Sequence, residues 1–161
     1  MQFKQLPAYQ IRLVAESILD MAEELFARHL EIRVLDWRVL AKLADRPGSI
    51  PTEIGRDILM TPVQTGRSLL RLRELGLVLA VPDPEDGRAT RYTLTQPGYS
   101  AYEAGMKIVL AVQDFALREL GAVERVALDE LLGRLMSSTS YTAADLEQVS
   151  AQLFGGKRSR A

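Results

Sequence analysis

The segment TPVQTGRSLLRLRELG, residues 61–76, carries the signals for a helix at both of its ends. Thr61 is a favourable N-cap, and Pro62 suits the first helical position because its missing N–H would have no partner there. Gln64 completes a Thr-x-x-Gln capping box, and Gly76 is a natural C-terminal stop. The segment therefore predicts a helix from Pro62 to Leu75.

This predicted helix has an apolar side and a polar side. The leucines Leu69, Leu72 and Leu75 are expected to be buried, at the spacing of one helix face. The other face is expected to be polar and to reach outward, and it consists of Gln64, Thr65, Arg67, Ser68 and Arg71. Gly66 lies within the helix, where glycine costs about 1 kcal/mol relative to alanine but also permits close approach of a phosphate or base. The sequence does not decide between these two effects.

The flanking segments predict a mainly α fold with one small β-hairpin. Helix and hairpin signals alternate in the order helix, helix, turn, helix, hairpin, which is the order of a winged helix-turn-helix. Apolar periodicity and turn residues place the elements. They are a helix from Ala8 to about His29, a second after Asp36, a short third near Pro51, the helix Pro62–Leu75, strands Val78–Val81 and Thr90–Thr95, a helix from Gly98 to about Leu120, another at Val123–Met136, and a last one capped by Thr142 and Asp145.

Residues 35–98 resemble the DNA-binding half of the MarR family of winged helix-turn-helix transcriptional regulators. Four segments carry the resemblance, in order and at the family's spacing: Trp37–Leu40, Leu72–Val78, Asp86–Arg88 and Leu94–Gly98. The resemblance implies one MarR-like domain over residues 1–161. Within it we expect a DNA-binding lobe at 34–98, a helical dimerisation lobe at 8–30 and 99–154, and a flexible tail at 155–161.

The resemblance also implies a homodimer on double-stranded DNA, usually as a repressor of a palindromic operator. The two recognition helices would then enter successive major grooves roughly 34 Å apart. Arg88 would insert into the minor groove from the wing, where a narrow A·T-rich groove attracts arginine. Asp86 would orient the wing by pairing with a nearby arginine, and Arg91 would contact phosphate or form a surface pair across the hairpin. The expected DNA contacts are Thr61, Pro62, Gln64, Thr65, Arg67, Ser68, Arg71, Arg88 and Arg91.

Many members of the family bind small aromatic or phenolic acids between the dimerisation helices and the DNA-binding lobe. By position, His29, Trp37 and Arg38 are the candidates for carboxylate and ring contacts with such an effector. Two other interpretations stay open at this stage. Trp37 also suits a core position, and His29 suits a helix end, where a cation complements the dipole.

Composition limits the function classes. The 161 residues include no cysteine and one histidine, which argues against thiol chemistry and against His-rich or Cys-based metal sites. No Gly-rich phosphate loop and no nucleophile beside a base is evident, so we expect no enzyme, no catalytic residue, no metal and no cofactor. No apolar run is long enough to span a membrane and no signal peptide is evident, so we expect a cytoplasmic protein with no membrane contact.

The net charge of −1 gives no general attraction to nucleic acid, but the positions of the charges matter more. Between Pro62 and Gly76 there are three arginines and one acid, whereas the wing tip holds several acids that should weaken non-specific binding. The alternative to a regulator is a winged-helix protein-interaction or dimerisation module that does not bind DNA. Salt-dependent DNA binding distinguishes the two.

Overall fold

Helices form most of the chain, and an antiparallel hairpin separates the first four from the last three. A computed structural model describes residues 3–84, 89–139 and 141–154, and the chain divides after Ala116 into two compact units. The first unit contains α1 (Pro7–His29), α2 (Val34–Asp45), α3 (Pro51–Asp57), α4 (Pro62–Glu74), β1 (Val78–Pro82), β2 (Thr90–Leu94) and α5 (Gln96–Ala116); the second contains α6 (Ala122–Ser138) and α7 (Ala143–Phe154). The predicted fold class is confirmed.

Two predicted helix boundaries were wrong. α2 begins at Val34 and not after Asp36, because the Asp36 carboxylate accepts the Arg33 backbone N–H at 3.3 Å and so closes the first turn from inside the helix. α5 ends at Ala116 and not near Leu120, because the Leu120 N–H bonds the Leu117 carbonyl in a tight turn. Apolar periodicity alone does not indicate either of these helix ends.

The core of the first unit lies among α1, α2, α3, α4 and the hairpin. Its most deeply buried side chains are Phe26, Val39, Leu40, Leu43, Ile54, Leu69, Leu72 and Val78. α5 closes this core through Val112, and Phe26 contributes from the C-terminal half of α1. Burial of these apolar side chains supplies most of the stabilisation of the lobe that carries α4.

Trp37 joins α2 to α5 within this core. Its ring stacks on Tyr102 with centroids 6.3 Å apart and meets Phe26 edge-on at 6.0 Å. The indole N–H donates to the Tyr102 carbonyl at 3.0 Å. Gly105 makes this approach possible, since a Cβ there would lie 2.2 Å from the Trp37 ring.

The hairpin is regular and is tied to the loop after α2. β1 and β2 pair antiparallel in a register that sets Val78 opposite Leu94 and Pro82 opposite Thr90. Tyr92 extends the pairing, because its backbone exchanges hydrogen bonds with Gly48 at 2.8 Å and with Ser49 at 3.1 Å. The base of the wing is therefore fixed on two sides.

The second unit has a different character, because none of the described residues of α6 and α7 is buried. Its exposed apolar side chains are Val123, Val126, Leu131, Leu132, Leu135, Met136, Leu146, Val149, Leu153 and Phe154. Among the described residues, no helix has the length and apolar character needed to cross a membrane.

Candidate nucleic-acid interface

The start of α4 is fixed by the capping box that the sequence predicts. Thr61 Oγ1 accepts a hydrogen bond from the Gln64 N–H at 3.2 Å, and Gln64 Oε1 accepts one from the Thr61 N–H at 2.9 Å. Pro62 occupies the first turn. The Gln64 oxygen is thus engaged, while its amide nitrogen is on the exposed side chain and can still donate to a ligand.

Thr65 and Ser68 were wrong as expected DNA contacts, because both side chains are buried in the protomer. Thr65 Oγ1 donates to the Thr61 carbonyl at 3.0 Å and lies where α3 crosses α4, so close that a Cβ on Gly55 would come within 2.7 Å of it. Ser68 faces Asp36 of α2. Small hydroxyl side chains fit these two helix crossings, where leucine would hold the helices apart.

The outward face of α4 is centred on residues that sequence reasoning did not select. Val63 and Leu70 are 62% and 48% exposed, and Gly66 lies between them with Arg67 beside it. At 100° per residue, Val63, Arg67 and Leu70 lie on the side of the helix away from the buried Leu69 and Leu72, and Gly66 lies at the edge of that side. The predicted burial of Leu75 was wrong as well: it is the helix C-cap and is 38% exposed.

The arginines of α4 differ in their surroundings. Arg67 and Arg73 are exposed, and neither has a hydrogen-bond or ion-pair partner among the residues that the structure describes. Arg71 is engaged within the protomer, because its Nη2 donates to the Glu31 carbonyl at 2.9 Å and its Nε lies 3.5 Å from Asp36 Oδ2. Arg67 and Arg73 are therefore the cations that α4 leaves exposed to a ligand, and Arg71 joins α4 to the segment between α1 and α2.

Asp36 is the charged centre beneath α4, and sequence reasoning assigned it no functional part. Burial is the largest single influence and would raise the pKa of this carboxyl, but the hydrogen bonds from the Arg33 guanidinium, Ser68 and the Arg33 backbone, together with the charge of Arg33, outweigh it and hold the pKa below its ordinary value. The Arg33 bonds are 2.8 and 3.0 Å long. Ser68 also lowers the pKa, although its hydroxyl does not reach full hydrogen-bond geometry.

The wing is anchored by an ion pair at its base. Arg91 Nη2 lies 2.7 Å from Asp83 Oδ2, and Arg91 Nη1 donates to the Gly48 carbonyl at 3.0 Å. Of the two roles that the sequence left open for Arg91, the structure shows pairing within the protein. Asp86 and Arg88 lie outside the described residues, so their roles in orienting the wing and entering the minor groove stay predictions. In the described part of the hairpin, the carboxylate that pairs with an arginine is Asp83.

These elements match known proteins. Residues 34–98 match the family described as the winged helix DNA-binding domain. This part of the chain has the winged helix fold and is similar to that family of DNA-binding domains. It contains α2, α3, the exposed helix α4 and the hairpin, together with the first residues of α5.

A curated relative of the winged helix chain is the HTH-type transcriptional repressor IacR of Pseudomonas putida, 26% identical over 109 residues. The match covers 68% of this chain and 65% of that repressor, so it spans slightly less than two thirds of the relative's length.

Solved structures of MarR-type proteins share the fold over most of the chain. MarR of E. coli superposes with a TM-score of 0.72 at 23% identity, covering 81% of this chain and 96% of that one. BpsR of Bordetella bronchiseptica gives 0.77 at 20%, covering 87% and 99%. The repressor CouR, solved on a 23-mer DNA duplex, gives 0.75 at 22%, covering 83% and 94%. The winged helix domain and its flanking helices thus have the MarR fold that the four sequence segments predict.

The three expected effector residues occupy different environments in the winged helix chain. His29 is the exposed last residue of α1, Trp37 is in the core, and Arg38 donates to the Ile58 carbonyl at the end of α3. No hydrogen bond or ion pair within residues 3–84, 89–139 and 141–154 joins any two of them. An effector site at these residues stays a prediction, and it would have to share two side chains that already bond within the fold.

Proposed function

We propose that this winged helix chain is a sequence-specific transcriptional regulator that acts as a homodimer on a palindromic operator, as a repressor. The observation that carries the proposal is the exposed outward face of α4, with Arg67 beside Val63 and Gly66 on a helix capped and anchored at both ends. The major groove of B-DNA, about 12 Å wide, admits one such helix. The hairpin at the base of α4 suits contact with the adjacent backbone.

Local charge supports DNA as the ligand although the whole chain is slightly acidic. Arg67 and Arg73 project from α4, and their guanidinium groups can bind phosphate or pair with guanine. Arg71 contributes indirectly, because its bonds to Glu31 and Asp36 hold α4 in place. Phosphate contacts of this kind make affinity depend steeply on salt.

The proposal that the protein represses transcription, and that a small molecule relieves this repression, rests on the relatives. IacR is a repressor, CouR is a repressor solved on DNA, and DNA binding by BpsR is regulated by 6-hydroxynicotinic acid. We extend these properties to this chain as a repressor relieved by a small aromatic acid. A panel of such acids that leaves operator affinity unchanged would remove the effector from the proposal and leave DNA binding intact.

Selection from a random duplex pool across a salt series tests the proposal. The wild type should enrich a palindrome and show log K falling steeply with log salt. Arg67→Ala should cost about 1–3 kcal/mol of discrimination at one position of each half-site if it pairs with a base, or lower the salt slope by about 1 if it binds phosphate. Arg28→Ala is the matched control, an exposed arginine that pairs with Glu24 on α1.

The alternative interaction module gives the opposite result. It predicts no duplex bound above the non-specific level at moderate salt, and Arg67→Ala and Arg28→Ala would then be indistinguishable from wild type. Arg88→Ala belongs in the same series, because loss of A·T preference beside the half-sites would support the predicted minor-groove contact of the wing.

A further inference from the structure

The centre of the outward face of α4 is apolar. Val63 and Leu70 are exposed, and Leu59, in the turn that precedes α4, is 89% exposed. Isolated surface apolar residues are common in proteins, but Val63 and Leu70 lie two turns apart on one line along a helix that is otherwise rich in arginine. A ligand that covers this face must offer an apolar group in its centre.

Gly66 lies in the middle of this line, and nothing in the protomer requires a glycine there. A Cβ added at Gly66 would meet no atom within 4 Å, and its φ lies outside the left-handed region. Glycine nevertheless destabilises a helix interior relative to alanine. Gly55, Gly98 and Gly105 are different, since a Cβ at each would overlap a neighbouring element. The missing side chain at Gly66 therefore leaves room for a ligand to approach the helix backbone.

The residues around this apolar line select the kind of ligand. By helical position, Arg67 and Gln64 lie on one side of Val63 and Arg73 lies on the other, so the ligand should carry anionic groups around a partly apolar centre. The major groove has this pattern, with phosphates on both walls and the C5-methyl of thymine on its floor. A protein partner with an acidic rim would have the same pattern, but the winged helix domain around α4 favours DNA.

We propose that Val63, with the space left by Gly66, contacts thymine C5-methyl groups and so specifies thymine in each operator half-site. The inference rests on the proposed function, because it assigns a base preference to the helix that enters the groove. Val63 supplies the apolar contact, and Gly66 lets the helix backbone come close enough for it. Arg67 and Gln64 supply the polar contacts beside Val63.

Replacing individual thymines of the selected operator by deoxyuridine tests Val63, because this change removes only the C5-methyl. For wild type, binding should weaken about fourfold at the contacted thymine, which corresponds to the burial of one methyl-sized group. For Val63→Ala, the same replacement should change binding less than twofold. Val81→Ala, an exposed valine on β1, is the matched control and should keep the wild-type sensitivity.

Gly66→Ala gives an independent readout. The variant should unfold at a higher temperature than wild type, since the new methyl group meets no atom of the protomer, and it should bind the operator at least tenfold more weakly. A variant that is more stable than wild type and binds the operator as tightly as wild type would overturn the role given to Gly66. This opposite movement of stability and affinity cannot result from a damaged fold.

The outcomes separate the two proposals. The thymine inference is overturned, while the regulator stands, if deoxyuridine at no position of the selected palindrome weakens binding. The same holds if deoxyuridine weakens binding equally for wild type and Val63→Ala. A pool from which no duplex is selected overturns the regulator and the thymine inference together. Capture of an acidic protein by wild type but not by Val63→Ala, without DNA binding, assigns the face to a protein instead.

Discussion

At the level of single residues, the buried carboxylate of Asp36 makes the stability of the fold sensitive to acid. Its pKa is lowered in the folded state, so it stabilises the fold above its ordinary value, about 3.9, and this contribution is lost as the pH falls through the folded pKa. We expect Asp36→Asn to lower the free energy of unfolding at pH 7 by about 2 kcal/mol, because the charge-assisted hydrogen bonds from Arg33 are weakened and the ion pair with Arg71 is lost. The stability of the variant should also depend less on pH between about pH 5 and pH 2 than that of wild type.

Denaturant unfolding at a series of pH values measures both effects. Asp45→Asn is the control for Asp36→Asn, since Asp45 is on the same helix, is 82% exposed and lies 3.8 Å from Lys42. It should follow the wild-type curve. If the free energy of unfolding of Asp36→Asn depended on pH as steeply as that of wild type, the acid sensitivity of the fold would come from other carboxylates.

Thr65 and Ser68 show why site residues are harder to predict than elements. Residue polarity placed them outside and Leu75 inside, whereas the structure does the reverse. The decisive quantity is the space between α4 and its neighbours α2 and α3, which small hydroxyl residues fill and leucine would not. A single sequence does not give the distance between packed helices. For the same reason, no partner could be predicted for Asp36 or Asp83.

At the level of elements, the crossing of α2 and α5 depends on one glycine. Gly105→Ala would set a methyl group 2.2 Å from the Trp37 ring, and we expect the forced separation to cost about 1–3 kcal/mol of stability. Thermal unfolding measures it. Gly66→Ala is the matched control, the same substitution in a helix where the methyl group has free space, and it should stabilise instead. Equal effects at both positions would contradict the packing seen at Trp37.

The elements themselves could be predicted well because their ends carry local chemical signals. Thr61, Pro62, Gln64 and Gly76 define α4 from sequence, and the structure has the same capping box and a left-handed Gly76. α2 and α5 were less well placed, since their true ends depend on a buried carboxylate and on a turn without glycine. Local signals therefore predict the order of the winged helix-turn-helix, whereas the ends of α2 and α5 are set by short-range hydrogen bonds that apolar periodicity does not reveal.

At the level of the whole molecule, the uncovered apolar surface argues for a second copy of the chain. α6 and α7 bury none of their described residues, and the N-terminal half of α1 exposes Ile11 and Val14. An apolar surface of this extent is rarely left in water. A two-fold dimer would cover it and would place two copies of α4 on the two halves of a palindrome.

Leu131 and Leu135 are one turn apart on α6 and 52% and 45% exposed, which makes them suitable for testing the dimer. We expect the double variant Leu131→Glu/Leu135→Glu to sediment as a monomer where wild type sediments as a dimer, because burying a carboxylate in an apolar interface is costly. Palindrome affinity should fall toward that of a single half-site. Fluorescence of Trp37, the one tryptophan of the chain, reports whether the first unit stays folded. Leu79→Glu, on an exposed position of β1, should remain dimeric. A double variant that is still dimeric would exclude this face of α6 from the interface and leave α1, α5 and α7 as the surfaces through which two protomers could associate.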